Sequence, residues 1–315
     1  MVRRQWQGGN RQRRGWFRAG LVVPVLLSMI ALAAVPHSGG QEMDTERQRR
    51  LLERYERMVQ LNLDQPYVLP SDEINAQMVA FVSLPLGERI GAWAAYFHER
   101  GDARYLFGLA EGGYVEEGRL ADDFALDCIL FLYRTTELGR TTSAREAIDF
   151  AYGTRFAGAS LEQAVRVDGT VNYDDPAHLD YSIDMIRSGI WGQDITARLG
   201  GTERDLAGSS RYAAGSITFV PTAKIDYGAL ESGDIIFLVT DERTEKGKSL
   251  REAGAMIGHV GIIQVEAGTP QLIHPASSGI DGLYEGGQVV KVPLEVYLQR
   301  VETFKGIMGL RVQDF

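Results

Sequence analysis

The chain has 315 residues, with 33 Lys or Arg, 42 Asp or Glu and a formal net charge of −9. Its 44% hydrophobic, 24% charged and 9% aromatic residues are ordinary for one or two globular domains, which excludes a disordered, collagenous or coiled-coil chain. The acidic balance argues against a nucleic-acid partner, because phosphate binding needs a basic face. The single cysteine, Cys128, excludes a disulfide framework and any zinc site that needs two or more thiolates.

Residues 1–34 predict a secretory signal peptide. Residues 1–40 contain no Asp or Glu, and an apolar run over residues 19–35 follows a basic stretch. Ala31-Leu32-Ala33 near the end of that run supplies the small residues of a cleavage site. A permanent membrane anchor is the alternative, but Pro24 lies inside the run, which is short for a membrane span. The basic stretch holds six arginines: Arg3, Arg4, Arg11, Arg13, Arg14 and Arg18.

This segment predicts a periplasmic or otherwise exported location. Residues 13–18 resemble a twin-arginine export signal, and the absence of a cysteine near the cleavage region excludes a lipid-anchored lipoprotein. After cleavage we expect no membrane partner and a monomeric protein. Removal of the six arginines leaves 27 of the 33 basic residues against 42 acidic ones, for a net charge near −15.

The first part of the remaining chain is helical. Residues 35–70 form a lead-in, with a charged amphipathic helix over 44–60 and a linker that begins at residue 62. Helical spacing continues over residues 71–109. Asp127 then acts as the N-cap of a helix that begins at Cys128 and stops at Gly139.

The second part is rich in short strands. Turn residues separate apolar, β-branched runs, and a short helix is predicted over residues 294–301 after Pro293. Helices followed by a meander of strands indicate the α+β class, with one domain over residues 71–315. The predicted strands are residues 216–220, 234–239, 259–265, 271–274, 289–292 and 307–312.

Cys128 is a candidate nucleophile because of its place at the start of a helix. The partial positive charge of a helix N-terminus favours the thiolate and lowers the thiol pKa. The alternative is an inert core residue, which is a common role for a free cysteine.

Two histidines, His259 and His274, fall in neighbouring strands of one predicted hairpin. If residues 266–269 form a four-residue turn, Val265 opposes Pro270, and the two histidines become diagonal neighbours on one face. A five-residue turn would place them on opposite faces. If they meet, His259 can take the thiol proton and His274 can orient His259. Each could instead be a core histidine with satisfied hydrogen bonds.

These residues resemble the motifs of NlpC-type cell-wall hydrolases, which are papain-like cysteine amidases and peptidases. The nearest likeness is to the N-acetylmuramoyl-L-alanine amidase-like branch of that group. The resemblance covers roughly residues 80–315 and rests on four segments in the family's order: Leu126-Asp127-Cys128, Ser232-Gly233-Asp234-Ile235-Ile236, Gly258-His259-Val260-Gly261-Ile262 and Leu272-Ile273-His274.

The resemblance implies a papain-like fold, with N-terminal helices packed on an antiparallel sheet and the nucleophile at a helix start. It implies Cys128 as nucleophile, His259 as general base and His274 as the orienting third residue, with no cofactor and no metal. It also places Tyr114 at the oxyanion site. The substrate contacts that it implies are Arg166, Tyr181 and Asp184.

The implied activity is cleavage of the amide between muramic acid and L-alanine in peptidoglycan. Three alternatives remain: a stem-peptide endopeptidase, a non-catalytic wall-binding module, and a zinc site in which Asp234 joins Cys128 and the two histidines. The chain departs from the branch where substrate would be recognised, in the segment around Tyr181 and in a longer, charged loop over residues 241–256.

Overall fold

The computed structural model describes residues 38–179, 183–206 and 216–313. Within these ranges the helices are α1 (Ser38–Gln60), α2 (Ser71–Phe81), α3 (Leu86–Arg100), α4 (Cys128–Arg140), α5 (Ala144–Arg155), α6 (Leu161–Ala164), α7 (Ile183–Ser188), α8 (Glu245–Glu252) and α9 (Leu294–Arg300). The strands are β1 (Arg104–Tyr105), β2 (Ala125–Leu126), β3 (Gly192–Asp194), β4 (Glu203–Leu206), β5 (Ser216–Pro221), β6 (Ile235–Thr240), β7 (Ile257–Glu266), β8 (Thr269–Ala276), β9 (Gln288–Pro293) and β10 (Phe304–Val312).

The strands of the described segments form one sheet in the order β2-β1-β9-β8-β7-β6-β10-β5-β4, with β3 paired to β10. Helices α3 and α4 pack against each other and against β7. The fold is therefore α+β, and the six predicted strands correspond to β5–β10. The expectation of an antiparallel sheet fails at one edge, where β1 and β2 pair in parallel.

Helix α4 is the buried helix at the centre of the molecule. Asp127 caps it, since its Oδ1 accepts from the backbone N–H groups of Ile129 at 3.0 Å and Leu130 at 2.8 Å. The predicted end at Gly139 is wrong, because the helix runs on to Arg140. Gly139 serves helix packing instead, since a Cβ there would lie 2.6 Å from Cγ1 of Ile90 on α3.

Two buried ion pairs fix α4 to its surroundings. Arg134 on α4 donates to both carboxylate oxygens of Asp123, at 2.8 and 3.0 Å. Glu137 on the same helix accepts two bonds of 2.8 Å from Arg155, the last residue of α5. All four side chains are at most 1% exposed. Each charge therefore depends on its partner for compensation inside the core.

The β7–β8 hairpin has the predicted register. Val265 opposes Pro270, and Glu266 opposes Thr269 across the turn. The two connecting residues, Ala267 and Gly268, have φ of 48° and 80°, the left-handed backbone that suits the twist of a tight hairpin. Continuation of the same register places His259 and His274 on one face of the sheet.

The lead-in helix α1 packs against α5 and α6. Residues from its end and from the following linker, including Met58 and Leu69, belong to the same core as Trp93 of α3. Exposed ion pairs support this contact, among them Arg145–Glu56 at 2.9 Å. Among the helices of the described ranges, none is long and apolar enough to cross a membrane.

The charged loop over residues 241–256 contains helix α8. Thr244 caps this helix by accepting from the Gly247 backbone N–H at 3.1 Å. Arg251 ties the helix to the end of β6 through the hydroxyl of Thr240 at 2.6 Å and its carbonyl at 3.0 Å. The loop is thus a fixed element beside the start of β7.

Candidate active site

Cys128 is the first residue of α4 and is partly exposed. The backbone N–H groups of Val260, Ile129 and Cys128 itself act on its sulfur. Since Val260 follows His259 in β7, the start of α4 lies against the strand that carries the proposed base. The packing of α4 on β7 therefore brings the Cys128 thiol close to the part of β7 that carries His259.

The pKa of the Cys128 thiol is raised, whereas the helix start predicted a lowered pKa. Burial is the largest cause, and the negative charge of Asp127 adds to it. The backbone N–H groups of Val260, Cys128 and Ile129 lower the pKa by less than these effects raise it. The prediction of a lowered pKa left out burial, and it also left out that the residue that caps the helix places a carboxylate beside the thiol.

The two histidines are in direct contact. Nε2 of His259 lies 2.8 Å from Nδ1 of His274, and the rings meet edge to face, with centroids 4.6 Å apart. Burial lowers the pKa of His259 well below its ordinary value, with smaller contributions from the charges of His274 and Lys246. Burial also lowers the pKa of His274 to about 4. Both imidazoles are therefore neutral at pH 7.

A neutral His259 that donates its Nε2 proton to His274 keeps a lone pair on Nδ1. That lone pair can accept the proton of a thiol, while His274 holds the ring in one orientation. The pair thus supplies the base and the orienting group of a cysteine hydrolase site. No carboxylate is needed for this arrangement, and none acts on either imidazole among the described residues.

Tyr105, which the sequence did not single out, is one of two described tyrosines whose pKa is raised by the charge of Cys128; the other is Tyr297. Burial raises the pKa of Tyr105 to about 12, and the charges of Cys128 and Asp127 add to the effect. The register Tyr105↔Leu126 sets this tyrosine beside the residue two positions before the cysteine. Strands of two residues have no readable periodicity, so only the pairing of β1 with β2 could have identified it.

Tyr114 lies in the core, with 4% of its surface exposed. Its ring packs edge-on against Tyr173, with centroids 5.4 Å apart, and against Gly108, where a Cβ would be 2.4 Å from the ring. Burial raises its pKa, and the charge of Asp127 adds to the effect.

Of the three predicted substrate contacts, Arg166 is the one whose side chain the structure describes. Arg166 donates to the Val171 carbonyl at 3.0 Å and to Oδ1 of Asn172 at 3.1 Å, so its guanidinium holds its own loop together. Tyr181 lies outside the described residues. Asp184 belongs to α7, and its side chain also falls outside the described part.

The alternative of a metal centre finds no support in the donor set. Asp234, the proposed fourth ligand, accepts from Arg311 Nε and Nη2, both at 2.8 Å, and from the Glu231 backbone N–H. Its carboxylate thus stabilises the start of β6. Within the described ranges, no three His, Cys, Asp or Glu side chains are grouped in a way that could hold a metal ion.

Comparison with known proteins relates the chain to others through structure alone. No protein-family model matches it, and no curated protein does. An N-acetylmuramoyl-L-alanine amidase from Bacteroides uniformis is similar over 73% of this chain and 99% of its own, with a TM-score of 0.52 at 20% identity. A DUF1460 protein from Legionella pneumophila is similar over 78% of this chain and 94% of its own, with a TM-score of 0.56 at 16% identity. At these identities the likeness shows the fold alone, and the chain therefore shares the fold of these two proteins.

Proposed function

We propose that the protein is an exported peptidoglycan amidase with a papain-like catalytic arrangement of Cys128, His259 and His274. The observation that carries the proposal is the 2.8 Å contact between the two imidazoles, of which His259 lies on β7, the strand against which α4 packs. Muramoyl-L-alanine is the proposed substrate, since the fold is that of an N-acetylmuramoyl-L-alanine amidase. The signal peptide over residues 1–34 lies outside the described residues, so export remains a prediction.

The proposed reaction begins from a neutral thiol and a neutral imidazole. The raised thiol pKa and the lowered imidazole pKa oppose a resting thiolate–imidazolium pair. The proton therefore passes from sulfur to His259 as the C–S bond forms. The imidazolium then protonates the leaving amine when the C–N bond breaks, which leaves a thioester. Water, deprotonated by His259, cleaves the thioester and releases the carboxylic acid and the free thiol.

Tyr105 and the Cys128 backbone N–H are the proposed oxyanion donors. We expect Tyr105→Phe to lower kcat by about 10²-fold with little change in KM, because its hydroxyl stabilises charge that develops only in the transition state. Tyr114→Phe is the matched control and should change kcat by less than about threefold, since its ring lies in the core. Steady-state kinetics on a muropeptide measure both. A larger loss in Tyr114→Phe would return the oxyanion role to Tyr114.

Lys246 should affect the pH at which kcat/KM falls on the acidic side of its pH profile. Its positive charge lowers the pKa of His259, so Lys246→Gln raises that pKa. Because the neutral form of His259 is the active one, the acidic limb of kcat/KM should move to higher pH, by less than about one unit at low salt. Lys248→Gln, on the same exposed helix, is the control. A shift to lower pH, or an equal shift in the control, would contradict this role.

Product identification tests the proposed function itself. The purified protein is incubated with a defined muropeptide, and the products are identified by mass, with Cys128→Ala as the blank. Release of the sugar with a free lactyl carboxylate and of the intact peptide supports the amidase. A shortened peptide still attached to the sugar identifies a stem-peptide endopeptidase. Binding of muropeptide without any product identifies a wall-binding module.

A further inference from the structure

One ring nitrogen of His274 is buried without a hydrogen bond to any described residue. Its side chain is buried, with 1% of the residue exposed, and its Nδ1 contacts His259. Its other nitrogen, Nε2, is buried and has no hydrogen-bond partner among the described residues. An orphaned polar atom next to a proposed general base needs a physical explanation, since burial without a partner is unfavourable.

Aromatic rings occupy the space around this histidine. Tyr297 on α9 meets His274 with centroids 5.1 Å apart and planes at 71°, and Tyr284 meets it at 5.8 Å and 81°. Tyr297 also stacks on Phe304, and Phe304 stacks on His259, with interplanar angles of 20° and 21°. The two imidazoles, Phe304 and Tyr297 thus form a closed cycle of four rings.

The position of the proton on His274 decides whether His259 can act as a base. If His274 carries its proton on Nδ1, it donates that proton to Nε2 of His259. A neutral His259 must then carry its own proton on Nδ1, which is the nitrogen that the reaction needs unprotonated. A proton on Nε2 leaves Nδ1 of His274 as the acceptor and frees Nδ1 of His259. Only the second tautomer supports catalysis from neutral groups.

The rings favour the second tautomer. The face of an aromatic ring carries negative charge, so it attracts an N–H and repels a nitrogen lone pair. The competing acceptor is the Pro275 carbonyl oxygen, which is 3.3 Å from Nδ1. This distance is longer than an ordinary N–H···O bond and longer than the 2.8 Å contact with His259. Among the described residues, the charged side chain that acts on the pair is Lys246, whose positive charge lowers the pKa of His259.

We propose that Tyr297 is a positioning residue: its ring receives the Nε2 proton of His274 and so fixes the tautomer in which His259 is the base. The proposed role belongs to the ring face; the hydroxyl, whose pKa is raised in part by the charge of Cys128, is tested separately by its removal. Tyr297→Phe should therefore preserve the role, whereas Tyr297→Met, which fills similar space without an aromatic face, should lose it. Tyr297 is 5% exposed and lies in α9, which packs on the strand of His274.

The first test is the tautomer itself, read from the nitrogen chemical shifts of ¹⁵N-histidine-labelled protein. We expect His274 to carry its proton on Nε2 in the natural protein and in Tyr297→Phe, and to become a mixture in Tyr297→Met. A proton on Nδ1 in the natural protein would overturn the proposal even if a variant failed to fold. This measurement needs no substrate, so its result is independent of the proposed function.

The kinetic test rests on the proposed function. Tyr297→Met should lower kcat by about tenfold or more with KM unchanged, while Tyr297→Phe should stay within about twofold of the natural protein. A kcat that is preserved in Tyr297→Phe but lost in Tyr297→Met would show that the effect comes from the aromatic ring and not from the hydroxyl. Equal losses in both variants would assign the effect to the hydroxyl and contradict the proposal. An inactive natural protein with the expected tautomer would contradict the proposed function alone.

Discussion

We expect Cys128→Ser to abolish amidase turnover, by at least about 10³-fold, while the protein stays folded. A serine hydroxyl is a far weaker acid than a thiol, and the neutral His259 is too weak a base to activate it. The Asp127 cap bonds backbone N–H groups and does not involve the cysteine side chain, so the helix start should be unchanged. Single-turnover kinetics on a muropeptide, with a thermal melt of each protein, measure both parts of the prediction.

His259→Ala is the companion variant for the same prediction. A nucleophile and its base act as one unit, so removal of either should cost about as much as removal of both. The double variant Cys128→Ser/His259→Ala should therefore be no slower than the more damaged single variant. Losses that multiply in the double variant would show that the two residues do not share one step. Natural activity in Cys128→Ser would refute the cysteine mechanism.

The largest expected effect on stability comes from the buried pair Glu137–Arg155. Glu137→Gln should lower the free energy of unfolding by about 3–5 kcal/mol, because it leaves the Arg155 guanidinium charged in the core without a carboxylate. Arg155 stays protonated in this variant, because a guanidinium has too high an intrinsic pKa to lose its proton inside a protein. Urea unfolding followed by circular dichroism gives the difference.

Two controls isolate the cause of that loss. Glu56→Gln removes one partner of the exposed pair with Arg145 and should cost no more than about 1 kcal/mol. The double variant Glu137→Leu/Arg155→Met removes both buried charges and should recover most of the stability lost in Glu137→Gln. A loss in Glu137→Gln no larger than in Glu56→Gln would mean that water or another group compensates Arg155.

The strand half of the fold was predictable because its sequence signals are local. Apolar β-branched runs separated by turn residues marked β5–β10, and the number of residues between Val265 and Pro270 set the hairpin register. Because side chains alternate with a period of two, the four-residue turn was the one of the two turn lengths left open that would place His259 and His274 on one face. The contact of the two imidazoles follows from the same count.

The features that the sequence did not predict depend on long-range packing. Tyr105 gains its place through a two-residue strand, which is too short to show a pattern. Gly139 lies inside α4, where the close approach of Ile90 leaves no room for a Cβ. The thiol pKa rises because burial and Asp127 outweigh the backbone N–H groups, and burial is decided by elements far along the chain. A sequence motif identifies chemical groups, whereas their pKa values depend on the packed environment.

The turn at Ala267 and Gly268 limits which insertions this chain can accept. Both residues are exposed at the tip of a hairpin, where insertions and tags are ordinarily tolerated. The tip is eight residues from His259, roughly 25 Å along an extended strand. One added residue there would move one imidazole to the far side of the sheet while every side chain of the site remained in the sequence. The length of this distant turn is therefore under the same constraint as the catalytic residues themselves.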